Sequence, residues 1–314
     1  MRRGRESGRG GELRRGRRAV EHPPAGRHAG HRVQSRHEHH RRRELGHREM
    51  IVCLALLLAA GPRQHLGPPV PTEVRRVVTV APSLSEIVVA LGAQDRLVGV
   101  TRFDDDPRTR GVPRVGGYND PQPEAVLALH PDLLLAEPAP ENRGAVETLA
   151  RLGVPVEAFP LATVASIEEA IVGIAQLLGM PERGRELRES LEQSRREARA
   201  SLREKKPVRA LLVFGLDPLV VAGPRGFAGE LLEDAGGMNA AGASDLAFFR
   251  MSAESAVRAA PEVIVLCGID APPGRAPIPG LEKTRVRTLR STALLHPGPR
   301  MPEALSDLAA ALGR

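Results

Sequence analysis

The stretch Pro181-Glu-Arg-Gly-Arg-Glu-Leu-Arg-Glu-Ser-Leu-Glu-Gln-Ser-Arg-Arg-Glu-Ala-Arg-Ala-Ser-Leu-Arg-Glu-Lys-Lys206 decides the fold of this chain. After Pro181 it holds no proline, and Gly184 is its one glycine. Its apolar residues Leu187, Leu191, Ala198 and Leu202 fall at helical spacing among charges of both signs. That spacing predicts one helix over 182–206, about 35 Å long at a rise of about 1.5 Å per residue. A helix of that length links two lobes rather than lying inside one.

On its N-terminal side, short β-branched and apolar runs at 76–80, 97–100, 133–136 and 154–159 alternate with helical stretches at 84–91, 123–129, 142–152 and 166–178. This alternation marks βα units around a mainly parallel sheet. On its C-terminal side, strand signals at 209–214, 219–222 and 263–267 alternate with helices expected at 226–235, 253–259 and 302–312. The expected architecture is therefore α/β: two small lobes with mainly parallel sheets, 76–181 and 207–314, joined by the rigid helix. The lobes also echo each other. Pro123-Glu124-Ala-Val-Leu-Ala-Leu-His-Pro131-Asp-Leu-Leu-Leu in the first is matched by Ala253-Glu254-Ser-Ala-Val-Arg-Ala-Ala-Pro261-Glu-Val-Ile-Val in the second. Each places a glutamate at the start of a short helix, then a proline, then a strand.

The formal charge of +7 over 314 residues is not a nucleic-acid signal, because it is confined to one end. Residues 1–49 carry 15 arginines and 6 glutamates, leaving 30 basic and 32 acidic residues for the rest. The same segment holds seven of the ten histidines and no aromatic residue. It cannot bury a core, and three readings apply: a disordered basic tail, a histidine-rich metal tract, or upstream sequence from a start codon placed too early. Met50-Ile-Val-Cys-Leu-Ala-Leu-Leu-Leu-Ala-Ala-Gly61 follows. This run is too short for the roughly 20 residues of a membrane span and fits the apolar core of a secretory signal over 50–61, with a linker over 62–75. Cys53 precedes the run's leucines and is badly placed for lipid attachment after cleavage. Cys267 alone would remain after cleavage, and one cysteine makes no internal disulfide.

The motifs of common enzymes are missing. There is no GxxxxGK phosphate loop, GxSxG elbow, HExxH helix or paired CxxC. His65, His130 and His296 are too few and too scattered for an evident zinc site or histidine-based catalysis. The chain is expected to be no enzyme, with no metal centre and no cofactor of its own.

From 76 to the C-terminus the residues resemble the helical-backbone metal-receptor family of periplasmic binding proteins, the class III architecture that serves cobalamin, haem and ferric-siderophore importers. The motifs that carry the resemblance are Arg76-Val-Val-Thr-Val-Ala-Pro-Ser-Leu-Ser-Glu86, Leu97-Val-Gly-Val-Thr101, Val115-Gly-Gly-Tyr-Asn-Asp-Pro-Gln-Pro-Glu124, Gly236-Gly-Met-Asn239, Met251-Ser-Ala-Glu254 and His296-Pro-Gly-Pro-Arg300. The cobalamin-binding branch is the most similar. By that resemblance Phe103, Tyr118, Phe214 and Phe248 would grip a flat corrin ring, with Pro82 and Ser83 at a strand-to-helix junction facing its polar edge; Ser83 serves equally as an ordinary helix cap. Glu124 and Glu254 would dock on the two subunits of an ABC permease in the inner membrane, and both also suit the positive end of a helix.

The implied protein is a periplasmic monomer that takes a metal chelate and no nucleic acid. Haem stays open because relatives can ligate iron through tyrosine and Tyr118 is the only tyrosine. A ferric siderophore would call on Arg102, Arg250 or Arg300. A ligand-sensing module without transport has the same fold, and an intracellular binding protein follows if 50–61 is no signal. The stretch 270–287 looks shorter than in many relatives, which leaves the cleft wall there in question.

Overall fold

The computed structural model describes residues 62–202, 204–271 and 276–314. The expectations for the leader 1–49, the signal run 50–61 and Cys53 lie outside the described residues. The first lobe is built on strands β1 (Gln64–Leu66), β2 (Val77–Thr79), β3 (Leu97–Gly99), β4 (Leu133–Ala136) and β5 (Val156–Ala158), in spatial order β1-β5-β4-β2-β3. Its inner pairs are parallel, as crossover helices demand. Leu133, Leu134 and Leu135 are all fully buried because both faces of the sheet are covered. Strand β1 corrects the expectation of a plain linker over 62–75: it pairs antiparallel with β5, Gln64 opposite Ala158 and Leu66 opposite Val156. Three residues are too few to show alternation, so only the pairing identifies it.

Helices α1 (Pro82–Ala90), α2 (Pro123–Ala128), α3 (Pro140–Arg151) and α4 (Val164–Leu177) connect these strands. The first three carry proline in the first turn, where its missing N–H costs nothing and its fixed φ suits the helix. The linking helix α5 spans Pro181–Ser201, five residues short of the expected end. Pro207 disfavours helical backbone at the residue before it, and Leu202 already closes the helix. Along α5, Gly184 permits close contact with α4; a Cβ there would stand 2.5 Å from the Ala175 methyl.

The second lobe contains β6 (Val208–Leu216), β7 (Leu219–Ala222), β8 (Gly237–Asn239), β9 (Phe248–Arg250), β10 (Val263–Cys267) and β11 (Arg285–Leu289), with helices α6 (Phe227–Asp234), α7 (Ala253–Arg258) and α8 (Met301–Leu312). The order is β11-β10-β6-β7-β9, with β8 beside β6. Here β10 runs parallel to both β6 and β11, while the β6–β7 hairpin and β9 extend the sheet antiparallel. Strands β8, β9 and β11 have no sequence signal comparable to the others. β11 is charged and largely exposed, as an edge strand tolerates.

The internal echo extends to backbone detail. His130 and Ala260, each just before the matched proline, both adopt φ of 45°. The left-handed conformation is uncommon in residues with a Cβ, so its recurrence marks one device used twice. In the first copy Asp132 accepts from the Arg75 and Arg76 amides while the Arg76 guanidinium donates to the Leu129 and His130 carbonyls. In the second, Glu262 accepts from the Arg209 amide and the Arg209 guanidinium donates to the Ala259 carbonyl. Each arginine thus satisfies carbonyls left over at a helix end. The largest hydrophobic cluster runs through both lobes, and each sheet has a second, smaller cluster on its other face.

Candidate functional site

Four of the expected ligand residues belong to the first lobe: Pro82 and Ser83 at the start of α1, and Phe103 and Tyr118 in two loops. Pro82 opens α1 with Ala81 as its cap residue, and no side chain caps it. This corrects the capping role considered for Ser83, which sits inside the first turn and is 3 % exposed. Beyond β3, the Arg102 guanidinium lies 4.9 Å from the centroid of the half-buried Phe103 ring. The same guanidinium makes a bidentate pair with Asp120 at 2.8 and 2.9 Å. It therefore ties the Phe103 loop to the Tyr118 loop. Gly117 makes room for it, since a Cβ there would come within 2.7 Å of Arg102 Nη2.

Tyr118 is 8 % exposed and belongs to the large cluster. Its hydroxyl lies near the carboxyl of Glu137. Glu137 follows β4 directly and is 4 % exposed. Loss of water around this carboxyl pushes its pKa up to about 8, and the nearby Tyr118 hydroxyl offsets only part of that. Near neutrality the pair is therefore an uncharged acid beside a phenol. Sequence reasoning missed Glu137. Its signal was there to be read: one ionisable residue at the C-terminal end of the apolar run Leu133–Ala136, the edge where parallel sheets present ligand groups.

In the second lobe Phe214 on β6 has no exposed surface and Phe248 on β9 has 4 %. The two rings pack edge to face, with centroids 4.8 Å apart. Both share the cluster that includes Tyr118. In this arrangement the two rings, both of the second lobe, are buried against one another. Two hollows among the described residues lie elsewhere. One of about 650 Å³ is bordered by Arg63, Phe159 and α4, another of about 390 Å³ by α5 and α8, and neither touches any of these aromatics.

Glu124 and Glu254 occupy the same place in their lobes, each the second residue of a six-residue helix and each exposed. Glu254 makes only a loose contact with Arg258 at 3.5 Å. No helix among the described residues is long and apolar enough to cross a membrane.

The profile of the periplasmic binding protein family matches residues 77–271. A vitamin B12-binding protein of Vibrio parahaemolyticus is 25% identical over 243 residues, 75% of this chain and 88% of that protein. Among solved structures, the apo periplasmic heme-binding protein of Roseiflexus sp. RS-1 superposes with a TM-score of 0.65 at 30% identity, covering 76% of this chain and 98% of that one. The periplasmic vitamin B12 binding protein of Vibrio cholerae gives 0.66 at 24% identity, over 77% and 98%. Two α/β lobes on one long helix, paired glutamate helices and a profile match through both sheets lead to one assignment: the chain belongs to the periplasmic binding protein family.

Proposed function

We propose that this protein is the substrate-binding component of an ABC importer, working outside the inner membrane. It captures cobalamin or a related corrinoid between its lobes and delivers it to the permease. The observation that carries the corrinoid reading is the setting of Tyr118, nearly buried in the large apolar cluster with its hydroxyl near the Glu137 carboxyl. Held among apolar side chains, the tyrosine offers a ring rather than an oxygen for a metal. Phe103 from the same lobe and Phe248 from the other supply further ring surface, with Phe214 behind Phe248. An aromatic contact adds about 0.5–1.5 kcal/mol beyond burial. The relatives named for vitamin B12 support the same choice.

Glu124 and Glu254 dock on the permease, one carboxylate per lobe, setting orientation more than affinity. Export through the 50–61 segment and a monomeric state complete the reading. Haem is the second ligand reading, favoured by the likeness to the Roseiflexus heme-binding protein and by Tyr118 being the only tyrosine.

The test is calorimetric and absorbance titration of the purified protein with cyanocobalamin and, separately, hemin. Cobalamin binding that weakens about 10–100-fold in Tyr118→Ala and Phe248→Ala, or about 1.4–2.8 kcal/mol, is the expected result. Binding of hemin alone with a Tyr118-dependent spectral change moves the assignment to haem. Binding of neither sinks the aromatic grip and redirects attention to ferric siderophores. Glu124→Ala/Glu254→Ala keeps cobalamin binding and loses uptake into permease-containing proteoliposomes; unchanged uptake removes the docking role.

A further inference from the structure

Glu86 reaches from α1 of the first lobe to the second. Its Oε1 lies 2.7 Å from His296 Nδ1 and 3.5 Å from Arg300 Nη1. Both partners immediately precede α8, which packs on the second lobe. Asp105, also from the first lobe, completes a triangle in which one ligand atom each of Glu86, Asp105 and His296 lie within 4.8 Å of one another. Glu86 and His296 are 5 % and 3 % exposed, while Asp105 opens to solvent and accepts from the Thr292 hydroxyl at 3.3 Å.

Two features set this cluster apart from an ordinary ion pair. The second carboxylate oxygen of Glu86, Oε2, is buried and receives no hydrogen bond. A buried oxygen without a donor calls for a water or an ion. It faces the backbone at Gly298, where even an added Cβ would leave 3.7 Å. The second feature is the balance of side chains: the four carboxyl side chains of Glu86, Asp105, Asp106 and Glu303 meet only two guanidiniums, those of Arg108 and Arg300. Arg300 pairs only loosely with Glu86, at 3.5 Å, because its short contacts go to Glu303 and Thr292, each at 2.8 Å.

We infer that Glu86, Asp105 and His296 bind one divalent transition cation of the zinc class, bridging the two lobes. An imidazole with two carboxylates is a donor set such ions accept, and three protein ligands leave a position for water. With metal–ligand bonds of about 2.0–2.1 Å, a tetrahedral site needs ligand atoms roughly 3.4 Å apart. The Glu86–His296 contact must therefore open slightly and Asp105 close in, movements within reach of side-chain rotation. Asp105 at the surface gives the ion its way in. None of its three ligands is one of the aromatic residues, so the ion binds whichever chelate those residues take.

The experiment is zinc competition against a chromophoric chelator, with thermal unfolding in parallel, on the full chain. The seven histidines of residues 1–49 can bind zinc in every variant, so the readout is the difference between wild type and the variants Asp105→Asn and His296→Gln. Wild type is expected to hold one more equivalent than either. Its unfolding midpoint should rise by about 5 °C at zinc a hundredfold above Kd, with no such rise in the variants. Asp105 is exposed, so its variant keeps the fold. Equal stoichiometry and equal thermal response in wild type and Asp105→Asn would overturn the site and leave the cluster as an interlobe ion pair.

Discussion

Phe214 and Phe248 meet edge to face at 80° across two strands, β6 and β9, that do not pair with each other. Both rings are buried, so each does structural work whatever else it does. Phe214→Ala and Phe248→Ala should each cost about 3–5 kcal/mol. Because each mutant removes the same ring contact, the double mutant should fall short of the sum by about 0.5–1.5 kcal/mol. A double-mutant cycle by urea denaturation measures this, and simple additivity would show that the rings pack independently. Loss of ligand binding in Phe248→Ala is interpretable only beside that stability figure.

Glu137 makes stability depend on pH in an unusual direction for a carboxylate. Its pKa rises from an ordinary 4.5 to about 8 on folding. Between those values the folded state keeps a proton that the unfolded chain has lost. The contribution is fully present below about pH 4.5 and is lost as the pH climbs through about 8. Urea denaturation at pH 5, 7 and 9 should show wild type weakening steadily relative to Glu137→Gln, which cannot ionise. Parallel profiles would mean that the carboxyl is hydrated in solution and that Tyr118 is positioned by packing alone.

The parts of this protein legible in sequence are those with long or repeated signals. The α5 helix declares itself through sustained charge patterning, and β4 and β10 through apolar runs bounded by proline. The paired glutamates stand out because their whole context is duplicated. β1, β8 and β9 are three residues each, stabilised by partners distant in the chain, and no local pattern can encode that. The contact of Glu86 with His296 and Arg300 likewise spans more than 200 residues. Each of its members had an unremarkable local reading, and only the approach of the lobes joins them. The burial of Phe214 and Phe248 was illegible for a related reason: loop and strand-end aromatics look alike in sequence whether they line a cleft or close it.

Asp234 ties the linking helix to the second lobe. It is 3 % exposed on α6 and accepts from Arg195 Nε at 2.6 Å and from Arg199, both on α5. Arg195 also reaches Glu168 on α4 at 3.6 Å and Glu230 on α6 at 3.9 Å, so one guanidinium joins helices of both lobes to the linking helix. Burial holds the carboxyl pKa values of Glu168 and Glu230 above the ordinary range, so Asp234 is the natural counterion. Asp234→Ala should cost about 3–5 kcal/mol, since it strands a poorly exposed arginine without its main partner. The exposed pair Arg143–Glu147, equally short at 2.7 Å, is the control. Glu147→Ala should leave the unfolding midpoint unchanged, because solvent already screens that contact. If the two variants shift the midpoint alike in thermal unfolding, distance alone governs these pairs, and the tie between α5 and the lobes must rest on apolar packing instead.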